Sequence, residues 1–315
     1  RCDFQKIINY ILKKIKLISD FDGIWTNQNI EAEYVWEYIL SSLSDLTGSD
    51  KEKIQNLLTK CKSEMDKETY KYGWFNNGGM AAYYQEDPFG DNNAIFDYIN
   101  KSAGRDPELE IIKKSILKKY DSLAEFSQAC FMDSTKKFKE EGKLNPVTTM
   151  KNIVEELNNS GVEIIVASNS KTEKIKYLFS KAGIEVTDEG SPERGGVHAR
   201  GDAKKFVIDY EFDLLPEFLK VGENYKIPLR RSSYYEILNE EKPDFVIGDV
   251  FSLDIALPLY LRMNNSSFEN LKVVQRVQPY TPDWVKDFLN SEKLKGIAFM
   301  VDNVEELPEL IKNTN

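Results

Sequence analysis

The chain has 315 residues, 41% apolar and 30% charged, with a formal net charge of −10. That length and apolar fraction allow a full core with room for a second module and exclude a disordered chain. The acidic balance and the lack of a long basic run argue against a surface that neutralises nucleic-acid phosphates, leaving small-molecule chemistry or protein contacts as the expectation.

The cysteines, Cys2, Cys61 and Cys130, lie far apart and in odd number. They suit neither a disulfide framework nor paired zinc knuckles, which points to a reducing compartment. A single histidine, His198, excludes mechanisms that need two histidine ligands. Lys6, Lys13, Lys14 and Lys16 interrupt the apolar clusters at the start, so neither a signal peptide nor a membrane span is expected there. The expectation is a soluble cytoplasmic protein with no membrane partner.

Four apolar runs end in polar clusters: IKLISD (15–20), VEIIVASN (162–169), KFVID (205–209) and DFVIGD (244–249). Each reads as a strand buried on both faces, because aliphatic and β-branched residues run without strict alternation. Helical spacing precedes and follows the second run. Val154 and Leu157 fall on one side of NPVTTMKNIVEELNNSG, with Pro146 near its start; Ile175, Leu178 and Phe179 do the same in KTEKIKYLFSKAGI, with Gly183 as its stop. Strands alternating with helices predict a doubly wound α/β fold, a parallel sheet covered on both faces.

Between the first and second strands the texture changes. Amphipathic patterns such as EYVWEYILSSL, KEKIQNLLTKCKSEM and PELEIIKKSILKKY are separated by turn clusters NNGG (76–79) and DPFGDNN (87–93). This predicts a mostly helical insert over 28–145, with residues 1–27 and 146–315 forming the α/β part. Within the insert, Tyr72, Trp74, Phe75, Tyr83 and Tyr84 surround Gly78 and Gly79. They read either as insert core around a turn or as a loop reaching a site. SPERGGVHARGD reads as an exposed loop carrying His198.

The first strand runs into DFDG, placing Asp20 and Asp22 two apart on an extended segment and therefore on one face. That carboxyl edge is where open parallel sheets bind ligands. Two like charges so close need a cation or a proton between them. Asp-x-Asp-Gly is also common in plain turns. A calcium loop fails, because Ile24 and Trp25 stand where an oxygen ligand and the obligatory glycine belong. DFVIGDVFSLD repeats the arrangement with Asp249 and Asp254, and four carboxylates at one edge suit Mg²⁺, a hard cation. Ser168 and Asn169 end a strand just before a helix, where they can bind an anion or cap the helix.

These pieces, in this order, resemble the haloacid dehalogenase superfamily of phosphohydrolases: DFDGIWT (20–26), ASN (167–169), a lysine, then GDVFSLD (248–254). The resemblance implies a Rossmann-like core, with the helical insert as a C1-type cap. It also implies roles. Asp20 is the nucleophile that forms an aspartyl-phosphate. Asp22 is the general acid/base, its carbonyl facing the metal. Asp249 and Asp254, with Asp20, hold Mg²⁺. Ser168 and Asn169 bind phosphoryl oxygens. For the lysine the expectation is Lys226, in YKIPLRRSSYYEIL, with Lys204 and Lys205 as competitors. Arg230 and Arg231 read as helix-surface charges, and Trp25 as a residue beneath the cap or at its entrance.

The expected activity is an Mg²⁺-dependent phosphatase acting on a small phosphorylated metabolite. A phosphomutase or phosphotransferase using the same intermediate is the near alternative. A binding protein that keeps the fold without catalysis, or a nuclease built on clustered acids, comes after it.

Overall fold

A computed structural model describes residues 14–188, 190 and 195–314. Cys2, Lys6, Lys13 and the SPER part of the expected loop lie outside the described residues.

In chain order the elements begin with β1 (Ile15–Ser19), then α1 (Gln28–Thr47), α2 (Lys51–Met65), the hairpin β2 (Gly73–Asn76) and β3 (Gly79–Tyr83), α3 (Gly90–Ser102), α4 (Pro107–Leu117) and α5 (Leu123–Glu140). They continue with α6 (Met150–Asn159), β4 (Val162–Ala167), α7 (Thr172–Lys181), β5 (Val186–Thr187), β6 (Val197–Arg200) and a second hairpin, β7 (Phe218–Val221) and β8 (Tyr225–Pro228). The last are α8 (Ser232–Glu241), β9 (Phe245–Gly248), α9 (Ala256–Asn264), β10 (Lys272–Arg276), α10 (Asp283–Leu289), β11 (Ala298–Val301) and α11 (Leu307–Thr314).

Seven strands form one sheet in the order β11-β10-β9-β1-β4-β6-β5, and every pairing in it is parallel. The unbroken apolar runs of β1, β4 and β9 follow from helices on both faces. Leu17, Ile164, Val166, Phe245 and Ile247 join one buried cluster with α6, α7 and α11. Their sequence neighbours Ile18, Ile165 and Val246 point the other way, into a cluster with α8 and α9. The chain runs outward from β1 through β4 to β6 and β5, then returns to β9 on the other side of β1. The carboxyl ends of β1, β4 and β9 therefore meet where the strand order reverses, the usual ligand-binding edge of such sheets.

Two expectations fail here. KFVID forms no strand: Lys205 and Phe206 lie in a turn, and the chain leading into it is bent at Asp202 and Lys204, with φ of 53° and 49°. The place beside β4 is taken by VHAR, so His198 lies on β6, 9% exposed, rather than in a loop. The run is short, and only Val197 and Ala199 enter the core, which left it without an apolar signature. The sheet also extends past β9 through β10 and β11.

Trp25 does not line the cavity; it belongs to a buried cluster that joins residues of the α/β part to Phe138 and Leu144 of the insert. It is fully buried in the α/β core beside Phe179, and its indole N–H donates to Ser19 Oγ at 2.9 Å. An indole can fill a core in this way when its one polar atom finds an acceptor.

The chain leaves and re-enters the α/β part at adjacent points. Val147 N–H donates to the Trp25 carbonyl at 2.9 Å, and Thr26 bridges Pro146. Between them, helices α1 to α5 share their own buried cluster, with Leu40, Leu58, Ile95, Ile116 and Phe126 among its members. The hairpin β2–β3 behaves differently. Its turn has Asn77 at φ 49° and Gly78 at φ 80°, the conformation that two-residue hairpin loops require. Its strands then pack against the α/β part: Ala81 and Ala82 cluster with Ile208, Val250 and Leu253. Among the described residues no helix is long and apolar enough to cross a membrane.

Candidate active site

The site is assembled at the sheet's carboxyl edge. Asp20 follows β1 directly, 9% exposed, and its N–H donates to the Ile247 carbonyl of β9 at 2.9 Å. Gly23, at φ 76°, is required there: a Cβ would stand 2.1 Å from Asp249 Oδ2. Asp249 follows β9, and a π-helical turn over Phe251–Ile255 swings Asp254 back so that its Oδ2 accepts the Val250 N–H at 3.0 Å. Gly248 permits this return, since a Cβ would lie 2.2 Å from that of Asp254. Asp20, Asp249 and Asp254 thus offer carboxylate oxygens within 4.8 Å of one another.

The lysine among these acids is Lys205. It is 1% exposed, and its Nζ donates to Asp20 Oδ1 at 2.6 Å and to Asp254 Oδ1 at 2.8 Å. Lys226, the expected lysine, is exposed on β8, where alternation turns Ile227 inward and Lys226 outward. Its contact is made by the backbone, whose N–H donates to Tyr83 Oη at 2.8 Å. What places Lys205 is the turn that replaced the expected strand. Its N–H donates to Asn169 Oδ1 at 2.7 Å, and its carbonyl accepts from Arg231 Nη1.

Arg231 is therefore no surface charge. It is fully buried and also donates to the carbonyls of Pro228 at 3.0 Å and of Ala81, in β3, at 2.7 Å. Arg230 donates to the Leu215 carbonyl at 3.1 Å and the Tyr210 carbonyl.

Ser168, 1% exposed, and Asn169 follow β4 and line the same cavity as Asp20. Ser168 Oγ accepts the Ser170 N–H at 3.1 Å. Neither residue caps α7, whose first turn has no side-chain cap. Asp22 accepts from Ser170 Oγ at 2.5 Å and from Lys174 Nζ at 2.8 Å. The sequence reading missed Ser170 and Lys174. Their one signal is position: both lie just after the second motif, at the end of α7 nearest the sheet edge.

Burial dominates the electrostatics. It pushes the Asp20 carboxyl up to about 7, with Lys205 opposing the rise and Asp254 adding to it. Burial and the neighbouring Asp254 and Asp20 hold Asp249 well above the usual carboxylate range. Burial works against the charge of Lys205, yet Asp20 and Asp254 outweigh it and keep the ammonium above its ordinary range.

The acids also differ in what they leave open. Asp254 has both oxygens engaged, by Lys205 and Val250 N–H. Asp249 Oδ2 accepts from the Tyr280 hydroxyl, while its Oδ1 is buried with no hydrogen-bond partner. A buried carboxyl oxygen without a partner is costly. An all-carboxylate donor set with such an open atom fits a hard divalent cation.

Above the edge lies a cavity of about 460 Å³. Core residues Asp20, Asp22, Ser168 and Asp249 form its floor, and the insert supplies Glu31, Trp74, Asp87, Phe89 and Asn92 to its walls. Trp74 stacks on Phe206 of the α/β part with ring centroids 4.8 Å apart.

No family model matches the chain, and no curated protein matches it. Solved structures similar to it include a 2-haloacid dehalogenase from Pseudomonas syringae pv. Tomato, at 13% identity over 96% of this chain and 100% of that one, TM-score 0.40. A haloacid dehalogenase-like family hydrolase from Streptococcus pneumoniae aligns at 10% identity over 95% and 98%, TM-score 0.43. CbbY from Rhodobacter sphaeroides, solved in complex with phosphate, aligns at 12% identity over 93% and 96%, TM-score 0.37. At such identities and overlaps the likeness does not fix the chemistry of this chain, which rests on its own side chains.

Proposed function

We propose that the chain is a phosphohydrolase of the haloacid dehalogenase type: an Mg²⁺-dependent phosphatase that acts on a small phosphorylated metabolite through an aspartyl-phosphate. The observation that carries this reading is the position of Lys205 between Asp20 and Asp254, beside the open oxygen of Asp249. A lone turn or a plain ion pair needs no such convergence of three acids and a lysine from three separate segments.

In this reading Asp20 attacks phosphorus through its Oδ2, the oxygen not bonded to Lys205, and the ester oxygen departs. Asp22, oriented by Ser170 and Lys174, gives the leaving alkoxide a proton and later takes one from the water that cleaves the acyl phosphate. Lys205, Ser168 and the N–H of Asn169 hold phosphoryl oxygens while charge shifts among them. Asp249 and Asp20, with the Asp22 carbonyl, would hold Mg²⁺, and Asp254 would serve chiefly to fix Lys205 and the turn. When bound, the ion supplies positive charge that lets two carboxylates and a phosphate share one site. Residues 28–145 act as the cap and limit water and substrate size, since the cavity suits a small metabolite.

The test is release of inorganic phosphate from p-nitrophenyl phosphate, with Mg²⁺ and with chelator. Metal-dependent release that Asp20→Asn abolishes supports the reading. No release under any metal condition overturns it. Release that rises steeply when an alcohol acceptor is added, with phosphate passing to that acceptor, moves the assignment to a phosphotransferase.

A further inference from the structure

With the sheet-edge acids matched to Lys205 and a cation, and Asp22 matched to Lys174, the insert still brings unmatched negative charge to the cavity. Glu31, in the first turn of α1, is 7% exposed, and no hydrogen bond reaches its carboxylate among the described residues. Its charged neighbours are Asp22 and Lys174, and Lys174 already donates to Asp22 at 2.8 Å. Asp87, after β3, accepts only the Phe89 N–H, at 2.7 Å. Asn92, 5% exposed, also lines the cavity without a side-chain partner. Among the described residues the insert contributes no lysine or arginine to this lining.

A second observation points the same way. Beside Val250 and Leu253, the apolar part of the lining is aromatic: Trp74 stacked on Phe206, and Phe89 set edge-on to Phe131 with centroids 5.4 Å apart. Ring faces attract cations, and buried carboxylates gain most from a cation held at short range. A second anion on the substrate would meet Glu31 and Asp87 with no basic group from the insert to offset them.

We propose that the substrate is a phosphate monoester whose alcohol part carries an organic ammonium, held by Glu31 and Asp87 against the aromatic wall, and that esters bearing a second anionic group are rejected. The inference rests on the phosphatase reading. Ammonium-bearing substrates bring one positive charge to two carboxylates, and the paired sheet-edge groups remain free to handle the phosphate.

The experiment compares kcat/KM, in the presence of Mg²⁺, for 2-aminoethyl phosphate, ethyl phosphate and carboxymethyl phosphate, with p-nitrophenyl phosphate as a general reporter. The amine ester is expected to exceed ethyl phosphate by tenfold or more, and the carboxylate ester to fall tenfold below it. Glu31→Gln and Asp87→Asn, checked for retained fold by circular dichroism, should each bring the ratio of amine to ethyl ester down toward one. Equal values for the three esters, or a preference for the carboxylate ester, overturn the substrate class while p-nitrophenyl phosphate turnover upholds the phosphatase. If none of the four is hydrolysed, the phosphatase reading falls and this inference falls with it.

Discussion

Lys205 and Asp20 stand 185 positions apart in the chain, yet the Lys205 ammonium donates to Asp20 Oδ1 at 2.6 Å with both groups almost wholly out of water. An ion pair this deep is held by its surroundings, because desolvating the two charges costs several kcal/mol, on the order of what their attraction returns. Those surroundings are Asp254 on one side and the backbone turn clamped by Asn169 and Arg231 on the other.

Removing that ammonium tests which lysine matters. Lys205→Met is expected to lower kcat by about 100-fold or more, the usual loss when one preorganised electrostatic contact is removed. Lys226→Met, altering an exposed side chain, should leave kcat/KM unchanged. The reverse outcome would restore Lys226 to the site.

Asp20→Asn should abolish turnover and leave the circular-dichroism spectrum unchanged. The amide keeps the shape and loses the nucleophile. Retained activity in this variant would move the attacking group elsewhere.

Binding of a divalent ion should be visible without any substrate. Saturating Mg²⁺ at about 100 times its Kd stabilises by about 2.7 kcal/mol, which thermal denaturation reads as a higher Tm. Asp249→Ala, which removes the open buried oxygen, should lose that rise. An equal rise in both proteins would place the ion at some other group.

Arg231 ties three chain segments together through the carbonyls of Lys205, Pro228 and Ala81. Arg231→Met strands those acceptors in a dry interior, and about 3 kcal/mol or more of stability should be lost. The same variant should lower kcat, because the Lys205 turn loses its clamp. A variant with wild-type Tm would show that water replaces the guanidinium.

Glu86 gives a pH signature. The side chain is 1% exposed and joins the hairpin to the π-helical turn, accepting from Tyr83 N–H at 2.9 Å and from Ser252 N–H and Oγ at 2.8 and 2.6 Å. Burial pushes its carboxyl up to about 7, against an ordinary value of 4.5, with those hydrogen bonds opposing the rise. A folded-state value above the unfolded one means that the folded form holds the proton more tightly. This contribution is complete below about pH 4.5 and is lost as pH rises through 7. Tm should therefore fall between pH 5 and 8, on the order of 3 kcal/mol for this group, and Glu86→Gln should flatten that part of the profile.

How much of this was legible can be followed residue by residue. The strands carrying Asp20, Ser168 and Asp249 announced themselves through unbroken apolar runs ending in polar residues, and the helices of the insert through their spacing. β6 did not, since four residues with a histidine and an arginine carry no strand pattern until β4 lies beside them. Flanking residues favour Lys226 over Lys205, and they do not reveal which side of a strand or turn faces the carboxylates.

The sequence by itself determined the α/β alternation, the helical insert and the acids at the ends of β1 and β9, because burial on both faces and turn chemistry act over a few neighbouring residues. Only the tertiary structure decided that Lys205 joins those acids, that Arg231 and Trp25 are interior, and that the hairpin of the insert packs on the sheet domain. Each of those outcomes depends on a partner more than a dozen positions away in the chain or on a backbone turn with φ above zero, and neither leaves a periodic mark in the order of amino acids.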